Sequence, residues 1–228
     1  MKQFKIRSSA SGQIMSEPKS KADKEAGLLG KTAQGYCQDW LKEQIYNRKK
    51  EFSSKYTQKG LIMEDNSIDF LSEYLKLGFV IKNEKYFEND FITGTPDLIL
   101  ANCVIDVKNS WDCFTFPLFD TDLPNVAYYY QLQCYMDLTG LKKAKLIYVL
   151  SNTPDNLIDK EAYYWCKNNG IDEVDNDIIT EFYDKMTYNN IPDKHKIKVF
   201  EIEHNQDVID KIYNQVLKCR NYINTIKI

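Results

Sequence analysis

The alternation of apolar and polar positions is most informative between Gly94 and Lys108. Two short apolar runs, Leu98-Ile99-Leu100 and Cys103-Val104-Ile105, flank a small Ala101-Asn102 step. Their length, β-branched content and the Asn at the break predict a tight antiparallel hairpin. With Ala101 and Asn102 as the loop residues, Leu100 pairs with Cys103 and Asp97 falls opposite Asp106. Lys108 returns to that face two residues on, because strand side chains alternate with a period of 2. An otherwise apolar sheet thus presents two carboxylates and an ammonium at one point.

The pattern elsewhere predicts an alternation of helices and strands. Residues 5–20, with Ser8, Ser9, Ser11, Gly12 and Pro18, read as a loop holding one short helical turn. Leu41, Ile45 and the neighbouring aromatics predict a helix over about 31–52, basic towards its end at Arg48-Lys49-Lys50. Gly60 precedes a second helix over about 61–77, stopped by Gly78. Residues 79–87 and 90–93 read as strands that lead into the hairpin. The stretch 111–124 is a loop rich in aromatics (Trp111, Phe114, Phe116, Phe119), better explained by anchoring to the core than by a mere linker role. Asn125 caps a helix over about 126–138, closed at Gly140. A buried strand at 145–150, helices at 155–168 and 175–188, an alternating outer strand at 196–203 and a last helix from Asn205 to about 226 complete the chain.

Length and composition narrow the class. A chain of 228 residues suits one α/β domain with a single good core. Six Cys with no C-x-x-C pair read as reduced, mostly buried thiols, which argues against an iron–sulfur cluster. The N-terminal residues lack the apolar stretch of a signal peptide, and nothing approaches membrane-spanning length, so the expected location is cytoplasmic. The net charge of −3 opposes nucleic-acid binding until its distribution is considered. Residues 1–60 carry +7 and the remainder −10. Such asymmetry hints at a polyanionic partner, although a solvated basic helix would give the same count.

The candidate chemistry starts from the carboxylate pair. Asp97 and Asp106 at close range repel and raise each other's pKa unless a cation sits between them. Mg²⁺ suits the position, since it takes one or two carboxylates together with substrate phosphate and water. Glu64 stands ahead of Ile68, Leu71 and Leu75 and so heads the apolar stripe of its helix, where a carboxylate also simply favours a helix N-terminus. Gln131 and Tyr135 share a helix face at i and i+4. Tyr135 is read equally well as an ordinary core aromatic. His195 and His204 have no metal-ligand spacing and read as surface residues.

Pro96-Asp97, Asp106-x-Lys108, Gln131-x-x-x-Tyr135, Gly60-x-x-x-Glu64 and Arg7-Ser8-Ser9, in this order over most of residues 5–150, resemble the PD-(D/E)xK nuclease superfamily. Within it the chain is most similar to the phage lambda exonuclease and YqaJ-type viral recombinase branch. One departure is Asp106, where the family usually has Glu. The resemblance implies an α/β restriction-endonuclease-like core, a mixed central β-sheet flanked by helices. It would form one nuclease domain over 1–228: a basic helical part to about 60, a catalytic core over about 61–150, and C-terminal helices and strand over 151–228.

It further implies Glu64 (over Glu73), Asp97, Asp106 and the Val107 backbone carbonyl as ligands of Mg²⁺, with Mn²⁺ as a substitute. Lys108 would stand near water and phosphate, Gln131 would approach the site, and Tyr135 would pack nearby or touch DNA. Arg7, Ser8 and Ser9 would hold a DNA end, a task suited to a guanidinium and two hydroxyls. The implied partners are DNA, a single-strand annealing protein and further copies of the chain in a ring trimer. The expected activity is Mg²⁺-dependent DNA exonuclease action on duplex ends in recombination. The rival readings are an endonuclease of the same superfamily, for restriction or junction cleavage, and an inactive nucleic-acid-binding protein.

Overall fold

The computed structural model describes residues 2–78 and 80–227. In chain order the elements are β1 (Ile6–Arg7), α1 (Ser11–Ile14), α2 (Lys21–Glu25), α3 (Lys31–Tyr46), α4 (Lys55–Tyr74), β2 (Phe87–Glu88), β3 (Ile92–Gly94), β4 (Leu98–Ile99) and β5 (Val104–Asn109). They continue as α5 (Val126–Thr139), β6 (Lys143–Val149), α6 (Asp155–Asn168), α7 (Asn176–Met186), β7 (Ile197–Glu203) and α8 (Gln206–Thr225).

The larger sheet has the order β4-β5-β6-β7. β4 and β5 are the predicted antiparallel hairpin, with Leu98 opposite Ile105 and Ile99 opposite Val104. β5 and β6 are parallel, so the chain must cross over between them, and α5 lies in that crossover. β7 returns antiparallel along β6. A second small sheet, β1-β3-β2, joins the N-terminal segment to the strand just before the hairpin. The sheet is therefore mixed and flanked by helices as expected, but the strands divide between two sheets.

Strand alternation sets which helix covers which face. Val104, Leu146 and Tyr148 pack with Leu132 and Met136 of α5. Ile105, Val107, Ile147 and Val149 point the other way, onto Ile68 and Leu71 of α4. A separate core around Ile6, Ile14, Cys37, Ile212 and Cys219 binds the N-terminal elements to α8.

Several boundaries differ from the expectation for local reasons. α3 stops at Tyr46 because Asn47 adopts the left-handed conformation (φ 48°), so Arg48, Lys49 and Lys50 lie beyond the helix rather than on it. α4 starts six residues earlier than the pattern implied. Ser54 and Thr57 form a reciprocal capping box that satisfies its first donors, and Gly60 lies inside the helix. Its end comes at Tyr74, ahead of Gly78. Of the strand expected over 79–87, Phe79 lies outside the described residues, and only Phe87 with Glu88 is a strand. The intervening Lys82-Asn83-Glu84-Lys85 run is polar, and the Asn83 side chain bonds Pro96 O and Lys85 O, which turns the chain locally. Five of the six cysteines are buried as expected, whereas Cys113 is exposed.

Candidate active site at the β4–β5 hairpin

The Leu100 N–H donates to Cys103 O at 2.9 Å, closing the hairpin on Ala101 and Asn102. Continuing that register one step beyond β4 sets Asp97 opposite Asp106. Asp97 is fastened from below, its Oδ2 accepting the Val107 N–H at 2.7 Å. Asp106 is fastened from above, its Oδ1 accepting Gln131 Nε2 at 2.9 Å. The same Nε2 lies 3.0 Å from the Tyr135 hydroxyl. Asp106 Oδ2 is 2.5 Å from Lys108 Nζ, a buried ion pair. Lys108 also lies over the Tyr128 ring, 5.1 Å from its centroid.

The electrostatics follow from that packing. Burial, then the charge of Asp106, pushes the Asp97 carboxyl up to about 7, with Lys108 and the Val107 N–H opposing. Burial alone would lower the Lys108 pKa, but Asp106 and Asp97 outweigh it and the net direction is upward, so the ammonium is retained. Burial, then Asp106, raises Tyr135 far above the usual phenol value, so its hydroxyl stays neutral. Two acids share one fixed ammonium, so the site carries excess negative charge only when both acids are ionised, the state a cation would favour.

Glu64 stands apart from this pair. It comes from α4, on the opposite face, and Lys82 holds it at 2.8 Å. Its charge still reaches Asp97. Among the described residues no three His, Cys, Asp or Glu side chains close around one ion position, so the expected carboxylate triad is not preassembled. Like-charge repulsion from Asp97 and the attraction of Lys82 both favour that position of Glu64. The donor set nevertheless suits a hard divalent ion, because two carboxylates face one another across the hairpin and a cation between them would offset the repulsion that raises Asp97.

The N-terminal motif divides. Ser8 is buried, and its Oγ donates to Thr93 O at 2.9 Å, so its hydroxyl proton is engaged in fastening the segment after β1 to β3. Gly94 fits beneath it only because it lacks a side chain. A Cβ there would meet Ser8 Oγ at 2.4 Å and the Tyr135 ring at 2.8 Å. Ser9 and Arg7 are exposed. Arg7 donates weakly to the Tyr36 hydroxyl at 3.4 Å and lines a cleft of about 280 Å³ with Tyr36, Trp40, Phe52 and Lys50, which also holds Asp39, ion-paired to Lys50, and Glu43. The Gln131–Tyr135–Gly94–Ser8 line thus connects this cleft to the aspartates through packed groups.

Three neighbours escaped the sequence reading. Tyr128 was within its reach, since it shares the α5 face with Gln131 and Tyr135 at helical spacing. Lys82 and Asn83 carry no local signal, because they arrive from a loop whose path only the folded chain defines. In the aromatic loop, Trp111 and Phe116 are core anchors as expected, while Phe114 and Phe119 stand 95% and 89% exposed. His195 is exposed and His204 half-buried beside Lys142; neither reaches the site.

No family model matches the chain, and no curated protein matches it by sequence. Among solved structures, it is similar to a phage-related exonuclease from Haemophilus somnus 129PT, at 32% identity and a TM-score of 0.80 over 98% of this chain and 95% of that one. It also shares the fold of an alkaline exonuclease from Laribacter hongkongensis, at 13% identity and a TM-score of 0.64 over 96% and 88%. The same enzyme in complex with dAMP aligns at 15% identity and a TM-score of 0.63 over the same shares. With a third of its residues identical to the first of these over nearly the whole of both chains, this chain belongs to the phage-related exonuclease family.

Proposed function

We propose that the chain is a Mg²⁺-dependent DNA exonuclease of the PD-(D/E)xK superfamily, acting on duplex ends. The observation that carries this reading is Asp97 facing Asp106, with Lys108 beside them and Gln131 bonded to Asp106. Family membership favours exonuclease over endonuclease, and the dAMP bound by the Laribacter enzyme favours deoxynucleotide substrates. Asp97, Asp106 and the Val107 carbonyl would hold the ion, Mg²⁺ or Mn²⁺, with Glu64 joining once Lys82 releases it. Bound there, the ion supplies Lewis acidity, acidifying water and offsetting phosphate charge.

The chain's own residues do the positioning. Gln131 keeps Asp106 Oδ1 engaged, which turns Oδ2 towards Lys108. The Val107 N–H fixes Asp97 in the same way. Lys108, held as an ammonium, orients the attacking water and stabilises charge on the phosphate oxygens in the transition state. Arg7, with the exposed Ser9 two residues on, would take a terminal 5′-phosphate through charge-assisted hydrogen bonds. The partners of this reading are duplex DNA, a single-strand annealing protein and further copies in a ring trimer, in the cytoplasm. Among the described residues no helix is long and apolar enough to cross a membrane.

The test is digestion of linear duplexes with 5′-phosphate or 5′-hydroxyl ends, and of a closed circular duplex, in Mg²⁺ and in chelator. Linear DNA should be degraded only in Mg²⁺, and the circle should survive. Degradation in chelator would remove the metal, and cleavage of the circle would replace the exonuclease reading with an endonuclease.

A further inference from the structure

α4 passes beneath β5, and its second turn carries a lysine that solvent does not reach. Lys59 is fully buried. Its Nζ donates to the main-chain carbonyls of Trp111 at 2.9 Å and Ser151 at 2.8 Å. The rings of Trp111 and Tyr188 flank it, each with its centroid 6.0 Å from Nζ. Among the described residues no carboxylate forms an ion pair with it. Burial lowers its pKa to about 8, with Asp112 opposing.

A buried, unpaired lysine is a costly way to fill a core, since Met or Leu packs the same space without desolvating an amine. What an apolar side chain cannot do is bond two carbonyls at once. Those carbonyls lie just past the ends of β5 and β6, and Trp111 follows Lys108 by three residues. Further along the same helix, Ser67 Oγ donates to Asn109 Oδ1 at 2.6 Å, and Ser151 Oγ meets that oxygen at 2.8 Å. Glu64 lies on α4 between these two attachments.

We propose that Lys59 is a positioning residue: together with Ser67 it clasps α4 to the ends of β5 and β6, and so sets where Glu64 stands relative to Asp97 and Asp106. This rests on the reading of Glu64 as a carboxylate that joins the cation.

The experiment is a double-mutant cycle in the full chain between Lys59→Met and Glu64→Gln. It is read as the Mg²⁺ concentration that half-saturates the rise in Tm, alongside kcat and KM on linear duplex DNA. Each single variant should raise the Mg²⁺ midpoint roughly tenfold or more, as loss of a supporting contact commonly does. Each should lower kcat with little change in KM, and the double variant should lose nothing further. Additive losses would show that Lys59 acts independently of Glu64 and overturn the inference, leaving the site reading intact. A wild-type Mg²⁺ midpoint in Lys59→Met would reduce the lysine to packing. A wild-type midpoint in Glu64→Gln would remove Glu64 from the cation site, and this inference with it. If Lys59→Met does not fold, Ser67→Ala takes its place in the cycle, with the same non-additivity expected and additivity again decisive against.

Discussion

The two faces of β5 carry opposite chemistry on one six-residue strand. Towards α5 it turns Asp106 and Lys108, which meet Gln131, Asp97 and the Tyr128 ring. Towards α4 it turns Ile105 and Val107, which meet Ile68 and Leu71. On the first face Asp106 and Lys108 keep their charge as a buried pair, while Asp97 opposite them is pushed towards its neutral form. On the second face polar groups occur only at the strand's end, where Asn109 bonds Ser67 and Ser151. Activity and stability should therefore be separable by the parity of the position changed, and each prediction below tests that separation.

The largest effect should come from the charged face. Asp97→Asn or Asp106→Asn should lower kcat by roughly a thousandfold or more, the scale of about 4 kcal/mol of lost transition-state stabilisation. Without metal, the Tm of Asp97→Asn should hold or rise, because one of two repelling carboxylates is gone, whereas Asp106→Asn also strips the buried Lys108 of its partner and should lower it. Mg²⁺ should raise the Tm of wild type but not of Asp97→Asn. Equal Mg²⁺ stabilisation of both proteins would break the comparison at its centre.

The apolar face should behave in reverse. Ile147 lies on β6, fully buried in the α4 layer. Ile147→Ala should cost about 2–5 kcal/mol in urea unfolding through lost burial and a cavity. Its activity per folded molecule, measured well below the transition, should stay close to wild type. A stable but inactive Ile147→Ala would mean that the two faces are not independent.

A smaller effect sharpens the extent of the charged face. The contacts Asp106–Gln131–Tyr135 continue past Gly94 and Ser8 to β1, which ends at Arg7. If Arg7 takes a terminal phosphate, Arg7→Ala loses a charge-assisted bond of about 1.5–3 kcal/mol. That is roughly ten- to a hundredfold in rate, on 5′-phosphorylated ends alone. Equal slowing on 5′-hydroxyl ends would confine Arg7 to general backbone binding or to the fold.

How much of this was legible depends on the distance between partners. The hairpin register could be read because a two-residue loop and a period of 2 leave one arrangement, and Gln131 with Tyr135 because helical spacing is local. The same local rules misplaced the basic triplet, since one left-handed residue, Asn47, ends α3 before Arg48. Ser8 reads as a free hydroxyl until the carbonyl of Thr93, 85 residues away, accepts its hydrogen bond. Nothing local marks Lys59, whose carbonyl partners lie 52 and 92 residues away. The partner of Glu64 is equally hidden, because Lys82 lies in a loop where Asn83 N bonds Asp97 O at 2.7 Å. Residues that act through their neighbours in sequence were visible, and those that act through long-range bonds were not.

The smallest effect is a slope. In the folded chain the Asp97 carboxyl is pushed up to about 7, from 3.8 for an ordinary aspartate. Between those values the folded state keeps a proton that the unfolded state has lost. Stability on this account falls as pH rises from about 4 to about 7 and is flat above. His204 works in the opposite sense nearby, since burial and Lys142 lower its pKa, so its penalty falls as pH rises. The difference between wild type and Asp97→Asn isolates the aspartate: the variant should lose the downward slope while keeping the histidine contribution. Mg²⁺ requires the ionised carboxylate, so its stabilising effect on wild type should grow as pH rises through about 7. Ile147→Ala, changed on the apolar face, should lower the whole stability curve and leave its shape alone. A slope that moves with Ile147→Ala and not with Asp97→Asn would mean that the proton is held elsewhere, and that the charged face is not where the fold stores its repulsion.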